Sequence, residues 1–360
     1  MNIAIIPYEK ELLDEPEHCP LYRKLKAHYA DSDIKWRMLS EFQDWKSVDY
    51  FVFCNFYYPW GIGILKEINR LHMRNRVIFC MMEPETVHFY HAKRFIPFIK
   101  KFTDCIITWN RNLIDGKTVF FTLFHSWQVQ EEKRGIYQPK RFDERKLICN
   151  ISGNKKSNHP NELYSERRKV IEYFEKNHSD DFDLYGIGWD KRKYKNYKGR
   201  CESKEEIYQN YRFALCLENE KNVPGYITEK IMDCISDGIV PIYMGATDIT
   251  DYIPQDCFIP YDQFGTLEEL YSYLKEMDER HYSAYLQAHM RFIDEKRYED
   301  FTAEAWSANV LMAIRQFTPN GPMYTGKQWF FMLDLWHKIY ILLHRAHVIG
   351  VLGELRRRLR

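Results

Sequence analysis

The densest set of groups able to do chemistry lies between residues 211 and 245. An apolar run, Tyr211-Arg-Phe-Ala-Leu-Cys-Leu, ends in the polar pair Glu218-Asn219. A glycine-containing turn, Pro224-Gly225-Tyr226-Ile227, then leads into Thr228-Glu229-Lys230 and an apolar helical stretch, and Val240-Pro241 opens a second strand that closes on Gly245. Thr228 has the residue type of a helix amino-terminal cap. A helix start presents unpaired N–H groups that favour an anion, and Lys230 in the first turn adds a point charge suited to a diphosphate. Glu229 has no use for phosphate and is better suited to accept hydrogen bonds from sugar hydroxyls. An ordinary capped helix with solvent-facing Glu229 and Lys230 is the alternative reading of the same residues.

A second candidate is the pair of carboxylates in Met82-Glu83-Pro84-Glu85, directly after the predicted strand 76–81. The carboxyl end of a strand in a parallel sheet is where a group that removes a proton from a hydroxyl would stand. One glutamate suffices for that task; the alternative is a loop carboxylate with no chemistry. His88 and His91 follow closely and could contact a second substrate, although Val87-His-Phe-Tyr-His91 equally suits packing.

Other patterns weaken on inspection. Asp31-Ser-Asp33 and Asp181-Phe-Asp183 have the spacing of a metal-holding pair, but the first sits in a polar stretch and the second runs into a strand, so no metal site is expected. Gly186-Ile-Gly188 lacks the third glycine and following helix of a dinucleotide fingerprint and reads as a turn. The 13 histidines show no HExxH spacing, and the 9 cysteines form no CxxC pair; they read as reduced, mostly buried thiols. No nucleophilic serine or cysteine elbow is visible.

These groups need a scaffold, and hydrophobic patterning supplies it. Short apolar runs alternate with amphipathic segments to about residue 265, the pattern of α/β layering. Strands are expected over 2–6, 50–56, 76–81, 105–109 and 118–123 with a helix over 62–73, then strands over 146–151, 182–186, 213–218, 239–244 and 258–261 with helices over 161–176, 204–211 and 228–237. Nearly all-apolar strands suit parallel sheets covered on both faces. At about 150 residues per domain, the 360 residues allow two domains. The expected division is an amino-terminal Rossmann-like domain over 1–130, a polar linker over 131–145, a second Rossmann-like domain over 146–310 and a helical, basic extension over 311–360, with ligands bound between the two halves. Lys plus Arg number 52 against 51 for Asp plus Glu, which excludes a general nucleic-acid coat; 45 % apolar and 16 % aromatic residues exclude disorder for most of the chain. The amino terminus lacks the basic region of a signal peptide, and 329–343 is too interrupted by charge to span a bilayer. The end of the chain, Val348-Ile-Gly-Val-Leu352 followed by Arg356-Arg-Arg-Leu-Arg360, sets apolar residues beside positive charge and suits either an anionic membrane surface or a packed helix with a solvated tail.

Five linked elements, Tyr197-Lys-Gly199 with Lys204, Tyr211-Arg-Phe213-Ala, Glu218-Asn219, Tyr226-Ile-Thr-Glu-Lys230 and Val240-Pro241 with Gly245, together resemble the donor-binding signature of the α-1,3-fucosyltransferases of glycosyltransferase family 10. The resemblance extends over about 76–260 and is densest over 194–254. It implies a GT-B fold, an α/β architecture of two facing Rossmann-like domains with a helical C-terminal extension, and GDP-fucose as donor substrate with no cofactor and no required metal. It implies that Arg167, Asn219, Tyr226, Glu229 and Lys230 bind the donor, Glu229 toward the ribose and Lys230 toward the diphosphate. The match around Arg167 is looser, and Arg168 could take its role. Glu83 resembles the family's general base, with Glu85 as second choice. The implied reaction is inverting transfer of fucose to a glycan hydroxyl; another GDP-sugar, or a catalytically silent nucleotide-sugar-binding protein of the same fold, is the alternative. The chain looks like the bacterial type, which implies a cytoplasmic location, peripheral at the inner membrane, and an oligosaccharide acceptor such as a lipopolysaccharide side chain. Aromatic residues at Phe56-Tyr-Tyr-Pro-Trp60 suit stacking on acceptor sugars or a place in the core.

Overall fold

The computed structural model describes residues 1–55, 60–126, 140–319 and 321–345. The expectations for the tail beyond 345, for most of the polar linker and for the aromatics at 56–59 lie outside the described residues. Two compact units make up the chain: residues 1–122, 158–160 and those from 306 onward form the first, and 123–157 with 161–305 form the second.

The first unit is built on a sheet of β1 (Asn2–Ile6), β2 (Lys35–Met38), β3 (Tyr50–Phe53), β4 (Val77–Met81), β5 (Cys105–Thr108) and β6 (Val119–Phe121). All neighbours are parallel, in the order β2-β1-β3-β4-β5-β6. Every residue of β4 and β5 is buried, as expected of strands covered on both faces. Its strand β2 was not expected from the sequence. Lys35 and Arg37 alternate with buried Trp36 and Met38, so only two apolar residues mark this edge strand.

The second unit carries β7 (Lys146–Ile151), β8 (Phe182–Tyr185), β9 (Tyr197–Gly199), β10 (Tyr211–Leu217), β11 (Val240–Met244) and β12 (Ile259–Pro260). The order β12-β11-β10-β7-β8-β9, all parallel, is the doubly wound order in which strand succession reverses at the centre, here between β7 and β10. Ligands of such sheets bind beyond the carboxyl ends of the strands at that reversal. The three-residue β9 was also not anticipated, being too short to show a period. Gly186, after β8, has φ +123°, and a Cβ there would lie 2.0 Å from the Ser152 carbonyl oxygen, so the turn read at Gly186-Ile-Gly188 requires its glycine.

The chain divides differently from the expected ranges. The helices Ala303–Gln316 and Lys327–Arg345 were expected to close the second domain and form a separate extension, yet residues from 306 onward belong to the first unit. Trp306, almost fully buried, packs on Trp36 with ring centroids 5.8 Å apart. The buried Arg74 guanidinium bonds Asp104 and the carbonyls of Lys100, Lys101 and Thr103, its Nη1 also reaches the Pro322 carbonyl, and its backbone N–H donates to Met323. Phe330 and Leu333 then enter the apolar core beside Phe102 and Ile106. Such contacts span more than 200 residues and leave no local trace in the sequence. No helix among the described residues is long and apolar enough to cross a membrane.

Candidate active site

Strand β10 ends at Leu217, paired with Met244 of β11, and the next backbone N–H, that of Glu218, still donates to the Met244 carbonyl at 2.9 Å. The chain then leaves the sheet and returns as the helix Glu229–Ser236. Thr228 is its amino-terminal cap, as expected: its Oγ1 accepts from the Lys230 N–H at 3.4 Å. Gly225, with φ +88°, shapes the turn before it, and its N–H donates to Asp248 Oδ1 at 2.7 Å.

The centre of this arrangement is Glu218, which is wholly buried. Its carboxylate accepts from the Thr228 N–H at 2.9 Å, the Thr228 hydroxyl at 2.8 Å and the Lys230 ammonium at 2.9 Å. Charge-assisted donors on both oxygens are what a buried carboxylate requires, because an unpaired one is strongly destabilising. Gly245 makes room for it; a Cβ there would stand 2.6 Å from both Glu218 Cγ and Tyr243 Oη. Sequence reasoning noted Glu218 only as the neighbour of Asn219. The available signal was the type itself: a carboxylate directly after a run of buried strand residues must find a cation, and Lys230 was at hand.

Around this hub the structure gathers all five expected donor-binding residues. Lys230 Nζ lies 3.5 Å from Glu229 Oε1. Burial works to lower the Lys230 ammonium pKa, but Glu218 and Glu229 outweigh it and the net shift is upward. For Glu229, desolvation pushes the carboxyl up while Lys230 and Lys204 pull it down more strongly, to about 2. Both groups are therefore charged at neutral pH, and both side chains remain partly exposed. Lys204 is itself paired with Asp233 of the same helix. Asn219 Nδ2 is 3.4 Å from the Tyr226 hydroxyl, and Tyr226 is buried beneath. Arg167, on the helix Tyr164–Asn177, reaches the strand end from the other side of the reversal and donates through Nη2 to the carbonyls of Leu217 at 2.6 Å and Glu218 at 3.1 Å. Burial lowers its pKa, opposed by Tyr164, Glu218 and Tyr226. Arg168 points elsewhere, donating to the Lys155 carbonyl at 2.7 Å and facing the Ser165 hydroxyl. The second aspartate pair is engaged too: Asp183 is buried against Tyr211, Lys146 and Lys198, and Asp181 binds Tyr271 and Lys275.

In the first unit, Glu83 follows β4 as expected and is partly exposed. Glu85 is committed to other partners, Arg94 at 3.0 Å and His159 at 3.7 Å. Its carboxyl pKa is lowered by the His159 hydrogen bond first and by Arg94 as well, against the opposing push of burial. His91 is buried with Nδ1 against the Glu83 carbonyl oxygen, and its ring stacks on His88 with centroids 4.7 Å apart.

Two doubly wound parallel α/β units, one with a charged cluster at its strand reversal, place the chain in the GT-B class of folds, with helices added at the carboxyl terminus. Residues 138–312 match the family described as glycosyltransferase family 10 (fucosyltransferase) C-term, a stretch that takes in most of the unit that holds the cluster. Among curated proteins, the α-(1,3)-fucosyltransferase FucT of Helicobacter pylori is 28% identical over 138 residues, which are 37% of this chain and 28% of that protein. An α-(1,4)-fucosyltransferase of Arabidopsis thaliana is 38% identical over 68 residues, 19% of this chain and 17% of the relative, so the matched stretches span well under half of these relatives. Of solved structures, an α1,3-fucosyltransferase crystallised with GDP-fucose superposes with a TM-score of 0.52 at 15% identity, covering 91% of this chain and 93% of the other.

Proposed function

We propose that the chain is an inverting fucosyltransferase that moves L-fucose from GDP-fucose to a hydroxyl of an acceptor glycan, with α-1,3 linkage to GlcNAc or Glc of a surface glycan. The observation that carries this reading is the convergence of Arg167, Asn219, Tyr226, Glu229 and Lys230 at the carboxyl end of β10. In this reading the second unit binds the donor and the first serves the acceptor. Lys230, Arg167 and the helix start stabilise the departing diphosphate, while Glu229 and Asn219 take hydroxyl and polar groups of the nucleotide. Glu83 removes the proton of the acceptor hydroxyl as its oxygen attacks C1 of fucose, the C1–O bond to the diphosphate breaks, and a β-linked donor becomes an α-fucoside. GDP is already a good leaving group, so no general acid, metal or cofactor is invoked. The ion pairs that hold Glu85 favour Glu83 as the base.

Isothermal titration with GDP, GDP-fucose, GDP-mannose and UDP-galactose tests the donor site. Binding of the guanosine ligands without the UDP sugar, and release of GDP from GDP-fucose but not GDP-mannose, is the expected result. Failure of every guanosine ligand to bind would refute the reading.

We further propose a peripheral position on the inner, anionic face of a membrane, with a lipopolysaccharide-type side chain as the acceptor's destination. Phe331, Leu335 and Trp336 on the helix Lys327–Arg345 are exposed apolar residues, and the arginine-rich 356–360 follows in the sequence. Deleting 346–360 should release the protein from anionic vesicles; unchanged binding would remove this part of the reading.

A further inference from the structure

The backbone that carries Glu83 is held from several sides by side chains. β4 stops pairing at Met81, whose partner on β5 is Thr108, and β3 has already ended at Phe53. Beyond that point the backbone of Met82 and Glu83 lies outside the paired strands. Side chains that follow the neighbouring strands, and one from the loop after Glu83, meet it there. Asn55 Oδ1 accepts from the N–H of Met82 at 3.1 Å and faces that of Glu83 at 3.4 Å. Trp109 Nε1 donates to the Met82 carbonyl at 2.6 Å, and the Thr108 hydroxyl to the Met81 carbonyl at 3.1 Å. The Glu83 carbonyl oxygen is met by His91 Nδ1, which beside a carbonyl must be the protonated nitrogen. The loop that brings His91 back is itself closed, with the N–H groups of Val87 and His88 on the Pro84 carbonyl.

Asn55, Thr108, Trp109 and His91 are all at least nine-tenths buried. Asn55 also has φ +154°, a backbone conformation that residues other than glycine seldom adopt. Unfavourable backbone geometry persists where surrounding structure over-determines it, and it concentrates at functional sites. Here it places one amide oxygen against the N–H groups of both Met82 and Glu83. An unremarkable loop carboxylate would need no such support.

We propose that Asn55, Trp109 and His91 are positioning residues for the Glu83 carboxylate, a buried cradle that fixes the backbone from which the base projects. This rests on the reading of Glu83 as the base. Loss of one wall should let Glu83 drift, and a misplacement of about 1 Å costs about 100-fold in rate.

The test compares Asn55→Ala, Trp109→Phe and Glu83→Gln in the full chain. Three quantities are followed: GDP affinity by titration, GDP release from GDP-fucose with N-acetyllactosamine or water as acceptor, and hydrogen exchange at the Met82 and Glu83 amides. Asn55→Ala and Trp109→Phe should slow GDP release about 10-fold to 100-fold, with GDP affinity unchanged. Faster exchange at the two amides should accompany Asn55→Ala, and Asn55→Asp, which keeps an oxygen in place, should restore protection. Trp109→Phe removes the N–H together with part of a buried ring, so urea unfolding is measured alongside, and it provides a second wall to test if Asn55→Ala does not fold. Wild-type turnover in Asn55→Ala and Trp109→Phe while Glu83→Gln is inactive would overturn the cradle and leave the base in place. Wild-type turnover in Glu83→Gln would overturn the base, and the positioning role with it. Unchanged amide exchange in Asn55→Ala would overturn the cradle whatever the activity.

Discussion

Replacing Lys230 by glutamine should damage stability and donor binding separately, and a second substitution should repair only the first. Lys230 Nζ lies 2.9 Å from Glu218 Oε2, and the glutamate side chain has no exposed surface while the lysine retains 24%. At an effective dielectric of about 20 the gross attraction at that distance is about 6 kcal/mol. Most of it offsets the desolvation of the carboxylate, and removing one partner of a buried pair costs about 3–5 kcal/mol. The exposed part of Lys230 admits water to the vacated position, so the expected loss for Lys230→Gln is nearer about 2–3 kcal/mol. The double variant Glu218→Gln with Lys230→Gln has no buried charge left unpaired and should regain at least about 1 kcal/mol over the single variant. GDP affinity should not return with it. One charge-assisted hydrogen bond to phosphate contributes about 1.5–3 kcal/mol, so both variants should bind GDP about 10-fold to 100-fold more weakly than wild type. Urea unfolding and GDP titration on the wild type and both variants measure the two quantities. Equal stability of the single and double variants would refute the account of Glu218 as a carboxylate held by Lys230, and wild-type GDP affinity in either would remove Lys230 from the donor site.

Other expectations follow from the same geometry. Glu83→Gln should lower turnover by about 100-fold or more with GDP affinity intact, whereas Glu85→Gln, which breaks an ion pair with Arg94 and His159, should retain most activity; a reversed order in steady-state rates would exchange their roles. Gly245→Ala would force a methyl against Glu218 and Tyr243, and should cost about 1–3 kcal/mol by urea unfolding together with weaker GDP binding. Buried His289, whose Nε2 faces the Cys257 carbonyl at 2.7 Å, has its pKa lowered by burial to about 4. Unfolding lets it take up a proton between about pH 4 and 6.5, so stability should fall as pH drops through that window, by up to about 3 kcal/mol from this group. His289→Gln should flatten the dependence relative to wild type, and parallel curves would show that His289 does not contribute.

Much of the scaffold was legible because buried parallel strands are written locally. β1 and β7 fall on the expected residues 2–6 and 146–151, and β4, β5, β8 and β11 within a residue or two of expectation. What failed did so for stated reasons. β2 and β9 are short edge strands, one with charged residues at alternate positions and the other of three residues. Between residues 295 and 302 the chain leaves the helix Glu279–Asp294, with Lys296 at a positive φ just past its end.

The sequence by itself marked the groups proposed to carry the chemistry. Thr228, Glu229 and Lys230 begin a helix because a capping residue precedes an apolar run, and Glu83 follows the apolar strand β4 directly before Pro84, which cannot donate to a ladder. Only the tertiary structure decided their partners. Glu218 meets Thr228 and Lys230 across a strand end and a turn, Arg167 rather than Arg168 reaches the end of β10, and Asn55 meets the Glu83 backbone from just beyond β3. It also decided that the helices from 306 onward pack on the first unit through Trp36, Arg74 and the core around Phe102. Periodicity reports which face of an element is buried, whereas the partner of a buried charge depends on the order of strands in the sheet, which no local pattern encodes.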